Sequence, residues 1–188
     1  MSNPTSQTIY YLPGYGGLLA TGLGRGLMDR GFDVAGRETR GDFRSLPFAE
    51  QIQTVMLDLQ EHFWREQARV VCNSFGAYLF LHAQTQMASF PGRVLLLSHI
   101  VGEFTNEQAR TTFSPPRPTK LKELAEAGKF NAPSRCEIHV GQEDWQSSPT
   151  NVQAFGQLSG IAVNVVPGGG HDLGKDYVSP LLDRWLCP

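Results

Sequence analysis

Three polar residues, a serine, an aspartate and a histidine, each follow an apolar run and could together perform nucleophilic chemistry. Ser74 follows the run Val70–Cys72 and is followed closely by Gly76. Asp144 comes after a later apolar run and a glycine turn, and His171 comes after the last apolar run and three consecutive glycines. A serine hydroxyl that is activated by a carboxylate-oriented histidine is a nucleophile for acyl transfer. The sequence therefore contains the residue types of an acyl-transfer site, provided that the fold brings them together.

Short apolar runs alternate with amphipathic stretches along the chain, and this alternation predicts a doubly wound, mainly parallel α/β sheet. The predicted strands are Thr8–Leu12, Phe32–Ala35, Arg69–Cys72, Arg93–Ser98, Cys136–Val140 and Ala162–Val166. The predicted helices are Leu18–Arg30, Pro47–Glu66, Phe75–Ser89, Lys120–Ala127, Thr150–Leu158 and Tyr177–Leu186. In open α/β sheets ligands bind at the C-terminal edge of the strands. Because each of the three polar residues follows a predicted strand, all three are expected at that edge.

The segment Cys72–Gly76, with the letters C-N-S-F-G, resembles the nucleophile elbow G-x-S-x-G of the α/β-hydrolase family. Residues two before and two after the serine must be small there; Gly76 meets this demand fully, and the Cys72 side chain is small without being a hydrogen. The order serine, aspartate, histidine is also the family's order. The resemblance runs from about Ile9 to Leu186 and is nearest to the minimal, nearly capless members. It implies a single domain, 1–188, with a six-stranded sheet of order 2-1-3-4-5-6.

The resemblance also implies a role for each residue. Ser74 would attack an acyl carbonyl, His171 would act as the general base, and Asp144 would orient the imidazole. The backbone N–H groups of Tyr15 and Phe75 would form the oxyanion hole. Where the family often has a histidine before the oxyanion-loop glycine, this chain has a proline. The implied activity is that of a serine hydrolase acting on a carboxylic ester or thioester through an acyl-enzyme, with no cofactor and no metal.

Each of these assignments has an alternative. Ser74 could cap the following helix, and His171 could be an ordinary loop histidine. Glu143 competes with Asp144 as the acid, and Asp172 is expected to cap a helix. A partner-binding protein without activity, or an acyltransferase with the same triad, could be built on the same scaffold.

The longest irregular stretch, 101–119, contains three prolines and precedes a predicted helix. Long loops of this kind often serve as lids or binding loops, so we expect a short lid-like insertion around 101–128. Four residues near the predicted site loops could line a pocket, with a structural role favoured for the first: His99, Phe104, Phe113 and Trp145.

Charge and composition exclude several other classes. The formal net charge is -2, with 16 Lys and Arg against 18 Asp and Glu, and gives no general attraction to nucleic acid. The three cysteines have no metal-ligand spacing, which favours a reduced, cytoplasmic protein. No apolar stretch approaches the roughly 18 residues of a membrane span. A dinucleotide fingerprint beginning at Gly14 fails at Leu19. A small acyl substrate is the expected partner, and the oligomeric state is left open.

Overall fold

The centre of the molecule is a parallel sheet, seen in a computed structural model that describes residues 7–108 and 110–187. In the described chain the strands are β1 (Thr8–Leu12), β2 (Asp33–Gly36), β3 (Arg69–Asn73), β4 (Arg93–Leu97), β5 (Phe104–Asn106), β6 (Thr111–Phe113), β7 (Arg135–Gly141) and β8 (Ala162–Val166). The main sheet has the order β2-β1-β3-β4-β7-β8, and all its pairings are parallel. Numbered along the chain, its strands follow the predicted order 2-1-3-4-5-6, which is confirmed.

The helices are α1 (Gly22–Met28), α2 (Gly41–Ser45), α3 (Phe48–Asp58), α4 (Phe75–Gln84), α5 (Lys120–Glu126), α6 (Pro149–Ser159) and α7 (Lys175–Leu186). The predicted extent of one domain, 1–188, stays a prediction. Met1–Ser6 and Pro188 at its ends, and Ala109 in the predicted insertion, lie outside the described residues.

Side chains along the central strands of the main sheet alternate between two apolar layers. In β1, Tyr10 and Leu12 face a core shared with α3, α4, α5 and α6, whereas Ile9 and Tyr11 face a core shared with α1 and α7. This alternation is the period of two that a pleated strand imposes. Because both faces are covered, the central strands consist of nearly continuous apolar residues, as parallel sheets require.

Several helices differ from their predicted bounds. The helix predicted at Leu18–Arg30 is formed only over Gly22–Met28, in a segment where each interior glycine costs a helix about 1 kcal/mol. The helix predicted at Pro47–Glu66 ends as α3 at Asp58 and continues as a π-helical turn, Leu59–Phe63. The short helix α2 was not predicted.

The insertion has more regular structure than its prolines predict. Strands β5 and β6 pair as an antiparallel hairpin, with Phe104 opposite Phe113, and α5 follows. The Tyr78 hydroxyl of α4 donates its one hydrogen between the carbonyl oxygens of Pro116, at 2.8 Å, and Arg117, at 3.2 Å. The insertion is therefore attached to the helix that follows Ser74. In the described residues every helix is too short or too polar to cross a membrane.

Candidate active site

Ser74 occupies a strained turn between β3 and α4. Its backbone angles are φ 49° and ψ −120°, a conformation that non-glycine residues rarely adopt and that commonly marks functional sites. A Cβ at Gly76 would lie 2.2 Å from the Leu12 carbonyl oxygen, so only glycine fits two residues after the serine. The Ser74 side chain makes no helix-capping hydrogen bond. Its Oγ lies 2.8 Å from Nε2 of His171 instead.

The other ring nitrogen of His171 contacts a buried carboxylate. His171 Nδ1 lies 3.0 Å from both Oδ1 and Oδ2 of Asp144. Asp144 is 1% exposed, and its Oδ1 accepts hydrogen bonds of 2.9 Å from the backbone N–H groups of Gln146 and Ser147. Glu143, the competing carboxylate, is exposed. Of the two neighbouring acids, Asp144 is the one that contacts the histidine.

Glycines allow the loops after β7 and β8 to approach closely. A Cβ at Gly141 would lie 2.2 Å from the Gly169 carbonyl oxygen and 2.3 Å from that of Gly170. The backbone N–H of Glu143 donates to the Gly169 carbonyl at 2.8 Å. These contacts hold the aspartate loop against the histidine loop. Asp172 does not occupy the N-cap position of α7 but accepts a hydrogen bond of 2.9 Å from the N–H of Gly174, which does.

A tight turn after β1 adjoins the serine. The N–H of Gly17 donates to the Gly14 carbonyl at 2.9 Å, and Gly16 has φ 77°, the positive value that favours glycine at this turn position. A Cβ at Gly14 would lie 3.3 Å from Cβ of Ser74. Tyr15 is the residue between these glycines. Phe75, the other residue predicted to donate its backbone N–H to the oxyanion, is the first residue of α4. At this position the backbone N–H has no acceptor within the helix.

The fold of most of the chain is similar to that of several solved structures. The ydeN gene product of B. subtilis has a TM-score of 0.64 at 14% identity, covering 95% of this chain and 98% of that protein. Alpha/beta hydrolase domain-containing protein 10 from mouse has a TM-score of 0.67 at 12% identity, covering 97% and 90%. A carboxylesterase of Nitrososphaera gargenis has a TM-score of 0.63 at 11% identity, covering 97% and 92%. The chain has the α/β-hydrolase fold.

No protein-family model and no curated protein sequence matches the chain. In the α/β-hydrolase fold the elbow serine stands at a strand-to-helix turn, and the acid and base follow in that order. Ser74 lies at such a turn, and the hydrogen-bonded residues Asp144 and His171 follow it in the same order.

A cleft of about 760 Å³ opens beside the serine and histidine, between α1 and α7. We call it the α1–α7 cleft. Ser74 and His171 form part of its wall at the sheet edge. The rest of its lining comes mainly from the turn after β1, from α1 and its flanking residues, and from the first two turns of α7. These lining residues include Tyr11, Gly14, Tyr15, Leu18, Leu23, Gly26, Arg30, Leu173, Lys175, Val178, Ser179 and Leu182.

The four predicted pocket residues lie elsewhere. Phe104 stacks on Phe113 with ring centroids 4.9 Å apart and packs edge-on against Trp145 at 5.7 Å. This aromatic cluster joins the β5–β6 hairpin to the loop after β7, and Phe113 and Trp145 are each 47% exposed. His99 is buried, and its ring centroid lies 6.0 Å from that of Phe155. Its ring nitrogens have no hydrogen-bond partner in the described chain. Burial lowers the pKa of His99 to about 4, so its ring is neutral at pH 7.

Two residues at the site were not found from the sequence. Thr39, buried after β2, donates from its hydroxyl to the Gly14 carbonyl, and that hydroxyl accepts a 3.0 Å hydrogen bond from the N–H of Gly17. Ser147 donates to the Ser98 carbonyl at 2.8 Å, and its Oγ lies 3.5 Å from Nδ1 of His171. A single threonine after an edge strand carries no motif. The only sequence feature that hints at a site role for Ser147 is its position three residues after Asp144.

Proposed function

We propose that this protein is a serine hydrolase that cleaves a carboxylic ester or thioester through an acyl-enzyme. The observation that carries the proposal is the continuous hydrogen-bonded series from Ser74 Oγ through His171 to buried Asp144. Similar solved structures include proteins named as a carboxylesterase and as an alpha/beta hydrolase domain-containing protein. Their names support hydrolysis, and the carboxylesterase supports an ester as the bond cleaved.

The first half of the reaction acylates the serine. Ser74 Oγ forms a bond to the acyl carbon while its proton passes to Nε2 of His171, 2.8 Å away. The tetrahedral intermediate then collapses, the bond to the leaving oxygen or sulfur breaks, and the imidazolium donates its proton to that atom. In the second half, water loses a proton to the same nitrogen and attacks the acyl carbon. The bond from that carbon to Ser74 Oγ then breaks, the imidazolium returns its proton to Oγ, and the acid is released.

The surrounding groups stabilise the charges that develop. Asp144, bonded to Nδ1, fixes the imidazole tautomer and stabilises the imidazolium. The backbone N–H groups of Tyr15 and Phe75 are assigned to the oxyanion, each contributing on the order of 3 kcal/mol in the transition state. These donors act on the intermediate rather than on the bound ester, so they accelerate the reaction instead of only tightening binding.

A fluorophosphonate probe tests the proposal. Ser74 should become phosphonylated, and labelling should be lost in Ser74→Ala and in His171→Ala. For ester hydrolysis, Ser74→Ala should lower kcat by about 10⁴–10⁶-fold. Ser159→Ala is a matched control, because that serine bonds the Phe155 carbonyl near the end of α6 and should leave labelling unchanged. A folded wild-type protein that takes no label and hydrolyses no ester would refute the proposal.

A partition experiment separates hydrolysis from acyl transfer. We expect the free acid to remain the main product when an alcohol or amine is added to the reaction. A large yield of the new ester or amide at modest nucleophile concentrations would instead assign acyl transfer to the same three residues.

A further inference from the structure

The α1–α7 cleft begins at the proposed catalytic residues Ser74 and His171 and is lined on one side by one face of α7. On α7 the lining residues Lys175, Val178 and Leu182 are three and four positions apart and therefore lie on one face of the helix. Lys175 is the first residue of α7, only a few residues after His171. The rise of an α-helix from Lys175 to Leu182 is about 10 Å. The cleft thus runs from the reacting atoms down along the helix, not across the insertion.

The facing wall leaves room for a chain. Gly26 of α1 lines the cleft, and a Cβ placed on it would meet only the Arg30 guanidinium within 4 Å, at 3.7 Å. Leu23 from α1 and Val178 from α7 supply apolar surface to the two walls, and both are partly buried against the same core. A volume of about 760 Å³ lies in the range of small-molecule sites, roughly 300–1,000 Å³.

Arg30, which follows the C-terminal end of α1, reaches across to α7. Its Nε donates to Asp183 Oδ1 at 2.7 Å, and its Nη2 donates to Ser179 Oγ at 2.7 Å. Its Nη1 donates to the Gly26 carbonyl at 2.8 Å. The guanidinium is therefore held by partners on both helices, and it crosses the space between them beside the cleft lining.

We infer that the α1–α7 cleft binds the acyl chain of the substrate, so that this protein prefers linear acyl groups of medium length, close to octanoyl, over acetyl and palmitoyl. The inference rests on the proposed function and adds the substrate class to it. Shorter acyl chains would leave the apolar side chains of Leu23 and Val178 uncovered. Longer chains would meet the Arg30 guanidinium, whose hydrogen bonds to Gly26, Ser179 and Asp183 would have to break.

The test compares p-nitrophenyl acetate, octanoate and palmitate. Octanoate should have the highest kcat/KM in the wild-type protein. Leu23→Trp should reduce the octanoate-to-acetate ratio of kcat/KM by about tenfold or more, because each methylene excluded from an apolar pocket costs about tenfold or more. Val178→Trp, from the facing helix, should act in the same direction. Leu158→Trp, on exposed surface of α6, is the matched control and should leave the ratio unchanged.

A binding measurement separates this inference from the proposed function. Sodium octanoate should bind Ser74→Ala in a calorimetric titration, and Leu23→Trp in the same background should weaken binding by about tenfold or more. If wild-type protein hydrolyses no ester while octanoate binds in this way, the proposed function fails and the cleft assignment stands. Three results overturn the assignment: acetate or palmitate as the best ester, ratios unchanged in folded Leu23→Trp and Val178→Trp, or a ratio that falls only in Phe113→Ala.

Discussion

At the scale of single residues, adjacent carboxylates have different surroundings. Glu143 and Asp144 follow the same glycine turn, but Glu143 is exposed whereas Asp144 is buried against His171. The Asp144 carboxylate accepts two backbone N–H hydrogen bonds besides its contact with the imidazole. Charge-assisted hydrogen bonds of this kind hold a carboxylate in place. The orientation of the histidine ring therefore depends on Asp144.

Asp144→Asn should lower kcat by about 10⁴-fold, because an amide stabilises the imidazolium poorly and favours the wrong tautomer. Steady-state kinetics on a chromogenic ester measures this loss. Glu143→Gln is the matched control and should stay within a few-fold of wild type. A near-wild-type kcat for Asp144→Asn together with a large loss for Glu143→Gln would reverse the assignment of the acid.

At the scale of elements, the turn after β1 is held by a residue from the loop after β2. The Thr39 backbone N–H donates to the Gly17 carbonyl at 3.2 Å, and its carbonyl accepts from Gly16 N–H at 3.0 Å. Its hydroxyl bonds both ends of the Gly14–Gly17 turn. The position of the Tyr15 N–H, which is assigned to the oxyanion hole, thus depends on the loop that follows the edge strand β2. Thr39 is a positioning residue.

Thr39→Val keeps the shape of the side chain and removes these hydroxyl bonds. The free energy of unfolding should fall by about 1–3 kcal/mol, since buried turn groups lose their partner. In ester kinetics kcat should fall more than KM changes, because a displaced oxyanion donor weakens the transition state selectively. Thr39→Ser retains the hydroxyl and should restore most of kcat. Equal kcat in the valine and serine variants would contradict the positioning role.

At the scale of the whole molecule, two histidines are fully buried in or beside the core. His82 and His99 are both 0% exposed, and their ring nitrogens have no hydrogen-bond partner in the described residues. Burial lowers the pKa of His82 to about 3 and that of His99 to about 4, from 6.5. Positive charges of Arg117 and Lys120 add to the effect at His82, while the Asp144 charge opposes it at His99.

These lowered pKa values predict how stability depends on pH. Below about pH 6.5 the unfolded chain protonates both rings, whereas the folded protein leaves them neutral until about pH 4. The unfolded state therefore binds more protons in this window, and the free energy of unfolding should fall as the pH drops through it. Urea unfolding across the window measures the slope, which should be smaller in His99→Leu. Equal slopes in the two proteins would contradict this contribution.

Much of the fold could be predicted because its signals are local. All the strands of the main sheet were predicted with each end within one residue of its observed bound. Buried parallel strands read as short apolar runs, and the glycine-rich turns after them mark their C-terminal edge. The hairpin of β5 and β6 was missed, because its short, largely exposed strands lack a buried face that would give them a pattern.

The ends of the apolar runs and the order Ser74, Asp144, His171 are local patterns, so the sequence alone was enough to predict which residues lie at the C-terminal edge of the sheet. The folded chain was needed to show which carboxylate contacts the histidine, that Thr39 holds the turn after β1, and that the cleft opens between α1 and α7 rather than beside the insertion. These features arise from contacts between segments that lie far apart in the chain. No local periodicity encodes the space left between two packed helices.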